Sequence, residues 1–157
     1  MFAPRPFDVA KAMVRVTRPG GRIVMGNWIP GDPTLVAQIL RISAAYSPPP
    51  PAGFVSPMSW GTEAQVTERF VAAGVPAKGI SCARDSYVFN DPGPPAGVLD
   101  RFRLFYGPTM NAFEAADRDG RAAALARELL DLFEAQNTAP EGTAIPASFL
   151  RVTVRVP

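Results

Sequence analysis

The 157-residue chain contains no histidine. A Ser-His-Asp triad, a Cys-His pair and every His-containing metal site are excluded with it, and no metal centre is expected. The lone cysteine, Cys82, has no intramolecular disulfide partner, and one thiol fits a reducing cytoplasm at least as well as secretion. Long hydrophobic runs are missing too. No stretch approaches the roughly 18 apolar residues of a membrane span, and the opening MFAPRPFDVAKAMVRV has no long apolar leader core. The expectation is a soluble cytoplasmic protein with no membrane partner. Runs of like charge are also lacking: the isoelectric point is near 9.0, but the net charge is only +2 and the arginines are scattered among acids. Nucleic acid is therefore not an expected partner.

What is present is a globular composition, 47% hydrophobic and 19% charged, able to build one domain over 1–157. Its most informative feature is the string RVTRPGGRIVMGNW, Arg15 to Trp28: a helix end, a Pro-Gly-Gly turn and an apolar strand. Val9, Ala12, Met13 and Val16 fall on one helix face before it. The consecutive Ile23, Val24 and Met25 predict a strand buried on both faces, with neighbours on both sides. Asp32 as N-cap and Pro33 at the first position predict a helix from Pro33 to Ala45. The four prolines Pro48 to Pro51 enforce an extended segment, read as a stiff connector rather than a docking site for a proline-recognising domain.

Thr62 and Gln65 have capping-box spacing ahead of Val66, Phe70 and Ala73, and Gly74 supplies a left-handed stop. Ala77 to Asn90 reads as a strand with a polar middle at Arg84 and Asp85. Two helices are expected next, an antiparallel pair at about 98–116 and 120–136, then a loop from Asn137 to Pro146. The closing FLRVTVRV alternates Val152, Val154 and Val156 with Arg151, Thr153 and Arg155, a strand with one wet face. Asp85, Asp91, Asp117 and Glu141 read as solvated or capping carboxylates, and Cys82 as a small core residue.

The strings MFAP, RVTRPGGRIVMGNWIP, PPPPAGFVSPMSWGTEAQVTERF, FRLFYGPTMNAF and SFLRVTVRV, in this order, resemble the C-terminal half of class I S-adenosylmethionine-dependent methyltransferases of the UbiE-like, methyltransferase type 11 group. The resemblance implies an incomplete Rossmann-like α/β fold. It implies a three-stranded mixed sheet over 22–28, 77–90 and 149–156, the last strand antiparallel and central, with about five helices. It also implies that the N-terminal cofactor-binding half is absent. The family's G-x-G-x-G loop and its ribose-binding acid do not occur here, and Gly20-Gly21 precedes a strand instead of joining a strand to a helix.

Of this chain only Met1, Phe2 and Ala3 would lie near the family's cofactor pocket, at its periphery. Trp28, Tyr46, Trp60, Phe105 and Tyr106 would line the substrate side, Tyr106 with a hydroxyl able to donate to a substrate oxygen. Ordinary core packing is the competing reading for each of these aromatics; no catalytic residue is assigned. The resulting expectation is the substrate-side portion of an enzyme that methylates O, N or C of a small molecule, inactive alone and binding no S-adenosylmethionine without its other half. The alternative is a non-enzymatic module that dimerises or docks through an uncovered edge at 22–28 and the Pro-rich loop. A small-ligand binder using a cleft between the helical pair and the sheet is a third reading.

Overall fold

Pro6 takes the first position of helix α1 (Pro6–Val16), where its missing N–H costs nothing, and Gly20 at φ +72° turns the chain into strand β1 (Arg22–Trp28). The computed structural model describes residues 3–157. After β1 come α2 (Leu35–Ala44), a 3₁₀ turn at Pro57–Gly61, α3 (Glu63–Ala72), a second 3₁₀ turn at Ala77–Gly79 and β2 (Ile80–Asp91). Helices α4 (Pro95–Phe105), α5 (Gly107–Arg118) and α6 (Ala122–Gln136) precede the final strand, β3 (Thr143–Arg155). The fold class is α/β, with six α-helices among the described residues and a three-stranded sheet in the order β1-β3-β2. The sheet is antiparallel instead of mixed, and the last strand, β3, lies between the other two and runs against β1, as expected.

The chain divides into two compact units. The first holds the stretch up to Pro30, Pro51–Asp85 and Phe149–Pro157; the second holds Gly31–Pro50 and Ser86–Ser148. The chain passes from the second to the first at Pro50-Pro51, inside the proline tract, whose exposed residues serve as a connector.

In the first unit, β1 pairs antiparallel with β3 from Arg22 opposite Arg155 to Trp28 opposite Phe149. Ala10 of α1, Val66 and Phe70 of α3, and Val152 and Val154 of β3 meet in one apolar core. The uncovered edge expected at 22–28 is present, but the expectation that β1 is buried on both faces is overturned. It is an edge strand, and Val24 is 53% exposed while Asn27 is buried. Consecutive apolar residues cannot distinguish a central strand from an edge strand whose outer face is wet. The capping box also fails to form. Thr62 is the N-cap of α3 but makes no side-chain cap bond, and Gln65 Oε1 instead accepts from Arg69 Nη2 at 3.2 Å. A charged donor is the stronger claimant on the amide oxygen. Gly74, at φ +91°, ends α3 as expected, with Val75 N donating to Phe70 O at 3.0 Å.

The second unit is built from α2, α4, α5 and α6 with the adjoining segments of β2 and β3. Leu35, Ile39, Ala112, Phe113, Leu125, Leu129 and Phe133 are among its buried side chains. α2 starts at Leu35 with Thr34 as N-cap, not at Pro33 after Asp32. Asp32 Oδ1 accepts from Thr34 N at 2.9 Å and Thr34 Oγ1 at 2.5 Å, closing a turn one step before the helix. The single helix expected at 98–116 is two, α4 and α5, which raises the expected five helices to six. Pro108 has no N–H to donate, and its ring and Gly107 favour a fresh start, so Tyr106 is extended at φ −99°, ψ 106°. β3 begins at Thr143, inside the expected loop. Thr143, Ile145 and Ala147 are already on its buried face, and Pro146 lies beyond the stretch paired with β1, where a strand tolerates it.

Candidate functional site

The five aromatics expected on the substrate side divide between the units. Trp28 and Trp60 belong to the first, and Tyr46, Phe105 and Tyr106 to the second. Trp28 closes β1, half-buried, with its ring edge-on to Phe149 at 6.3 Å between centroids. A Cβ on Gly61 would stand 1.9 Å from the Trp28 carbonyl oxygen, so the turn Pro57–Gly61 lies directly on the strand end. That close approach seats Trp60 in the core, 2% exposed and packed against Phe70.

Arg69 accompanies Trp60, its guanidinium carbon 4.6 Å from the ring centroid, and is itself only 4% exposed. Nη2 donates to Ser59 Oγ at 2.7 Å and to Gln65 Oε1, while Nη1 is buried with no hydrogen-bond partner. Burial lowers the Arg69 pKa, opposed by the charge of Glu68. Asn27 Nδ2, at the end of β1, is likewise buried without a partner. Neither residue stood out in the sequence. For Arg69 a signal existed: it follows Val66 by three and precedes Phe70 by one, on the apolar face of α3.

In the second unit Tyr106 sits at the break between α4 and α5. Its ring meets Phe102 edge-on at 5.4 Å, and Phe102 meets Phe89 at 5.2 Å and Phe133 at 5.5 Å. Burial raises the Tyr106 phenol above its ordinary value, so it stays protonated at neutral pH, and its hydroxyl makes no hydrogen bond among the described residues. Phe105, one residue earlier, is 79% exposed and faces solvent. Tyr46 is 6% exposed just beyond α2 and donates its hydroxyl to Glu128 Oε1 at 2.5 Å. That hydrogen bond chiefly raises the Tyr46 pKa, aided by burial and the Glu128 charge and opposed by Arg121. Glu128 and Arg121 escaped the sequence reading because each lies more than seventy residues from its partner near Tyr46.

The cofactor implied by the resemblance needs an open carboxylate after a strand and a backbone that admits it closely. Asp32 is engaged by Thr34, and Asp91 accepts from Gly93 N at 2.7 Å and pairs with Arg101. The Gly93 amide foremost holds the Asp91 pKa below the usual carboxylate range, with Arg101 adding to it. The carboxylates at both strand-to-helix joints are thus engaged internally, and neither Asp32 nor Asp91 stands open to the cofactor's ribose. Ala3 is exposed, and Met1 and Phe2 lie outside the described residues. Asp85 pairs with Arg151 Nε at 2.5 Å. Cys82 packs against the core of the first unit, where burial raises its thiol pKa. Among the described residues no group of three or more Cys, Asp or Glu could hold a metal ion, and no helix is long and apolar enough to cross a membrane.

No family model matches the chain. It is 34% identical over 133 residues to the uncharacterized protein Rv1403c of Mycobacterium tuberculosis and, equally, to the uncharacterized protein Mb1438c of Mycobacterium bovis. A second M. tuberculosis protein, the uncharacterized Rv1405c, is 33% identical over 133 residues. Each match covers 84% of this chain and 47% of the relative. The chain therefore spans about half the length of the curated relatives it matches.

Proposed function

We propose that this chain is the substrate-side portion of an S-adenosylmethionine-dependent methyltransferase of incomplete Rossmann-like fold, acting on a small molecule and inactive alone. The observation that carries the reading is the sheet order: the C-terminal strand runs antiparallel between β1 and β2, the placement the resemblance implies. The internal hydrogen bonds of Asp32 and Asp91 support leaving cofactor binding to a complementing half. When bound, the cofactor supplies the methyl group.

The contribution of this chain is positioning and exclusion of water, which suffice for much of the rate of a methyl transfer. Tyr106, whose hydroxyl has no hydrogen-bond partner among the described residues, donates to an oxygen of the acceptor, and the rings of Phe102 and Phe89 beside it form an apolar wall. The test is calorimetric titration with S-adenosylhomocysteine. The longer M. tuberculosis relative is expected to bind in the micromolar range, and the 157-residue chain not to saturate. No binding by the longer protein refutes the methyltransferase reading; micromolar binding by the short chain refutes the division of labour.

A second reading has one observation in its favour: β1 is a sheet edge with Val24 on its wet face, and no described strand lies beyond it. On that reading the chain is a non-enzymatic module pairing β1 with a second copy. Light scattering decides it, since a clean monomer at high concentration removes the pairing.

A further inference from the structure

The second unit carries a cavity that shares Tyr46, but no other aromatic, with the substrate side of the methyl-transfer reading. It has a volume of about 280 Å³ and lies where the segment after α2, at Tyr46 to Pro48, meets the corner between α5 and α6. We propose that this cavity binds a small organic oxyanion, a carboxylate or phosphate monoester on a short apolar body.

Charge comes first. Arg118 and Arg121 both line the cavity, against a single lining carboxylate, Asp119. Asp119 accepts from Arg121 Nη2 at 3.0 Å, and Arg118 pairs with Glu114, which is not part of the lining. These bonds do not exhaust the donors. A guanidinium carries five N–H groups in a fixed fork. Arg121 spends one on Asp119 and one, at 3.3 Å, on the Ala45 carbonyl, and Arg118 spends one on Glu114. The remaining donors are the only uncommitted ones in the lining side chains, because Tyr46 donates to Glu128 and Ser47 Oγ donates to Ser43 O at 2.9 Å. Such donors match two or three oxygens on one centre, and nothing in the lining other than Asp119 favours a cation.

Preorganisation comes second. Arg121 is held by Asp119, by the Ala45 carbonyl and by the Tyr46 ring, whose centroid lies 4.9 Å from its guanidinium carbon. An arginine already fixed in place loses little side-chain entropy on binding. Shape comes third. Pro48 and Ala115 give the cavity an apolar wall, and its volume falls just under the roughly 300 Å³ at which drug-sized ligands begin to fit, so the ligand is small.

Benzoate and phenyl phosphate share one apolar body and differ in the oxyanion, so they are the probes, titrated at low ionic strength into the full 157-residue chain and followed by NMR. At least one is expected to saturate and to weaken about tenfold or more when a charge-assisted bond is lost through Arg118→Gln or Arg121→Gln. Arg118 is mostly exposed, so its glutamine variant keeps the fold, and thermal melting checks this. Response to phenyl phosphate alone assigns the site to phosphate, to benzoate alone to carboxylate, and to both to oxyanions in general. Absence of saturable binding by either probe, or binding unchanged by both substitutions, overturns the proposal.

Discussion

Gly61→Ala tests the close approach on which the placement of both tryptophans depends. The added methyl carbon would stand 1.9 Å from the Trp28 carbonyl oxygen, 2.7 Å from its carbon and 3.1 Å from Ile29 Cα. Ordinary contact begins at 3.4 Å, so 3.4 − 1.9 leaves about 1.5 Å to be relieved, and every obstacle is backbone. Overpacking typically costs about 1–3 kcal/mol, and with no flexible side chain to yield the upper end is expected. At about 2–4 °C per kcal/mol for a chain of this size, Tm should fall by about 6–12 °C.

The matched control is Gly97→Ala in α4, where an added Cβ meets nothing within 4 Å. Alanine in a helix gains about 0.5–1 kcal/mol over glycine, so Tm should rise by about 1–4 °C. Far-UV circular dichroism reads both melts. Tryptophan emission gives a second readout, because the two tryptophans of the chain adjoin Gly61 and a displaced turn should shift the native spectrum only in that variant. A Gly61→Ala protein melting within about 2 °C of the parent, with unchanged emission, would refute the packing of this turn on β1.

Three further outcomes are expected. Arg69→Met exchanges a buried cation with no ion pair among the described residues for an apolar chain of similar length and should cost under about 1 kcal/mol or stabilise. Arg69→Ala adds a void and should cost about 2–5 kcal/mol; equal losses in denaturant melts would show that the hydrogen bonds to Ser59 and Gln65 dominate. Because the folded pKa of Tyr46 is raised, its stabilising contribution is intact below the ordinary tyrosine value of 10.0 and is lost as pH climbs through the folded value. Tyr46→Phe should therefore flatten the alkaline fall in Tm, and a slope identical to the parent's would remove the Glu128 link. Phe133→Ala, at a fully buried ring packed edge-on to Phe102, should cost about 3–5 kcal/mol, with a loss under about 1 kcal/mol in chemical denaturation counting against its central place.

Most element positions were legible because local rules set them. The Pro-Gly-Gly turn at Gly20 and the stop at Gly74 bounded helices through backbone geometry that needs no partner, and the alternation of Val152 and Val154 with Arg151 and Arg155 set which face of β3 is dry. The misreadings share a cause. Whether the second face of β1 is dry or wet, whether Gln65 serves the Thr62 cap or Arg69, and whether Asp32 caps a helix or closes a turn are competitions among partners that the order of residues does not rank. The helix break at Tyr106 was different: Gly107-Pro108 announced it locally, and the aromatic periodicity running through it masked the signal.

The candidate site divides the same way. Sequence alone determined the chemistry that is out of reach, since a chain without histidine and with one cysteine has few nucleophiles or metal ligands to offer, wherever they are placed. Only the tertiary structure decided which of the aromatics bury: Trp60 enters a core under a buried arginine, Phe105 faces water, and Tyr106 is partly buried with no hydroxyl partner among the described residues. It likewise joined Tyr46 to Glu128 and Arg121 around one cavity. Residue type sets what a side chain can do, but burial and donor satisfaction are properties of neighbours, and neighbours separated by seventy or more residues are chosen only when the chain folds.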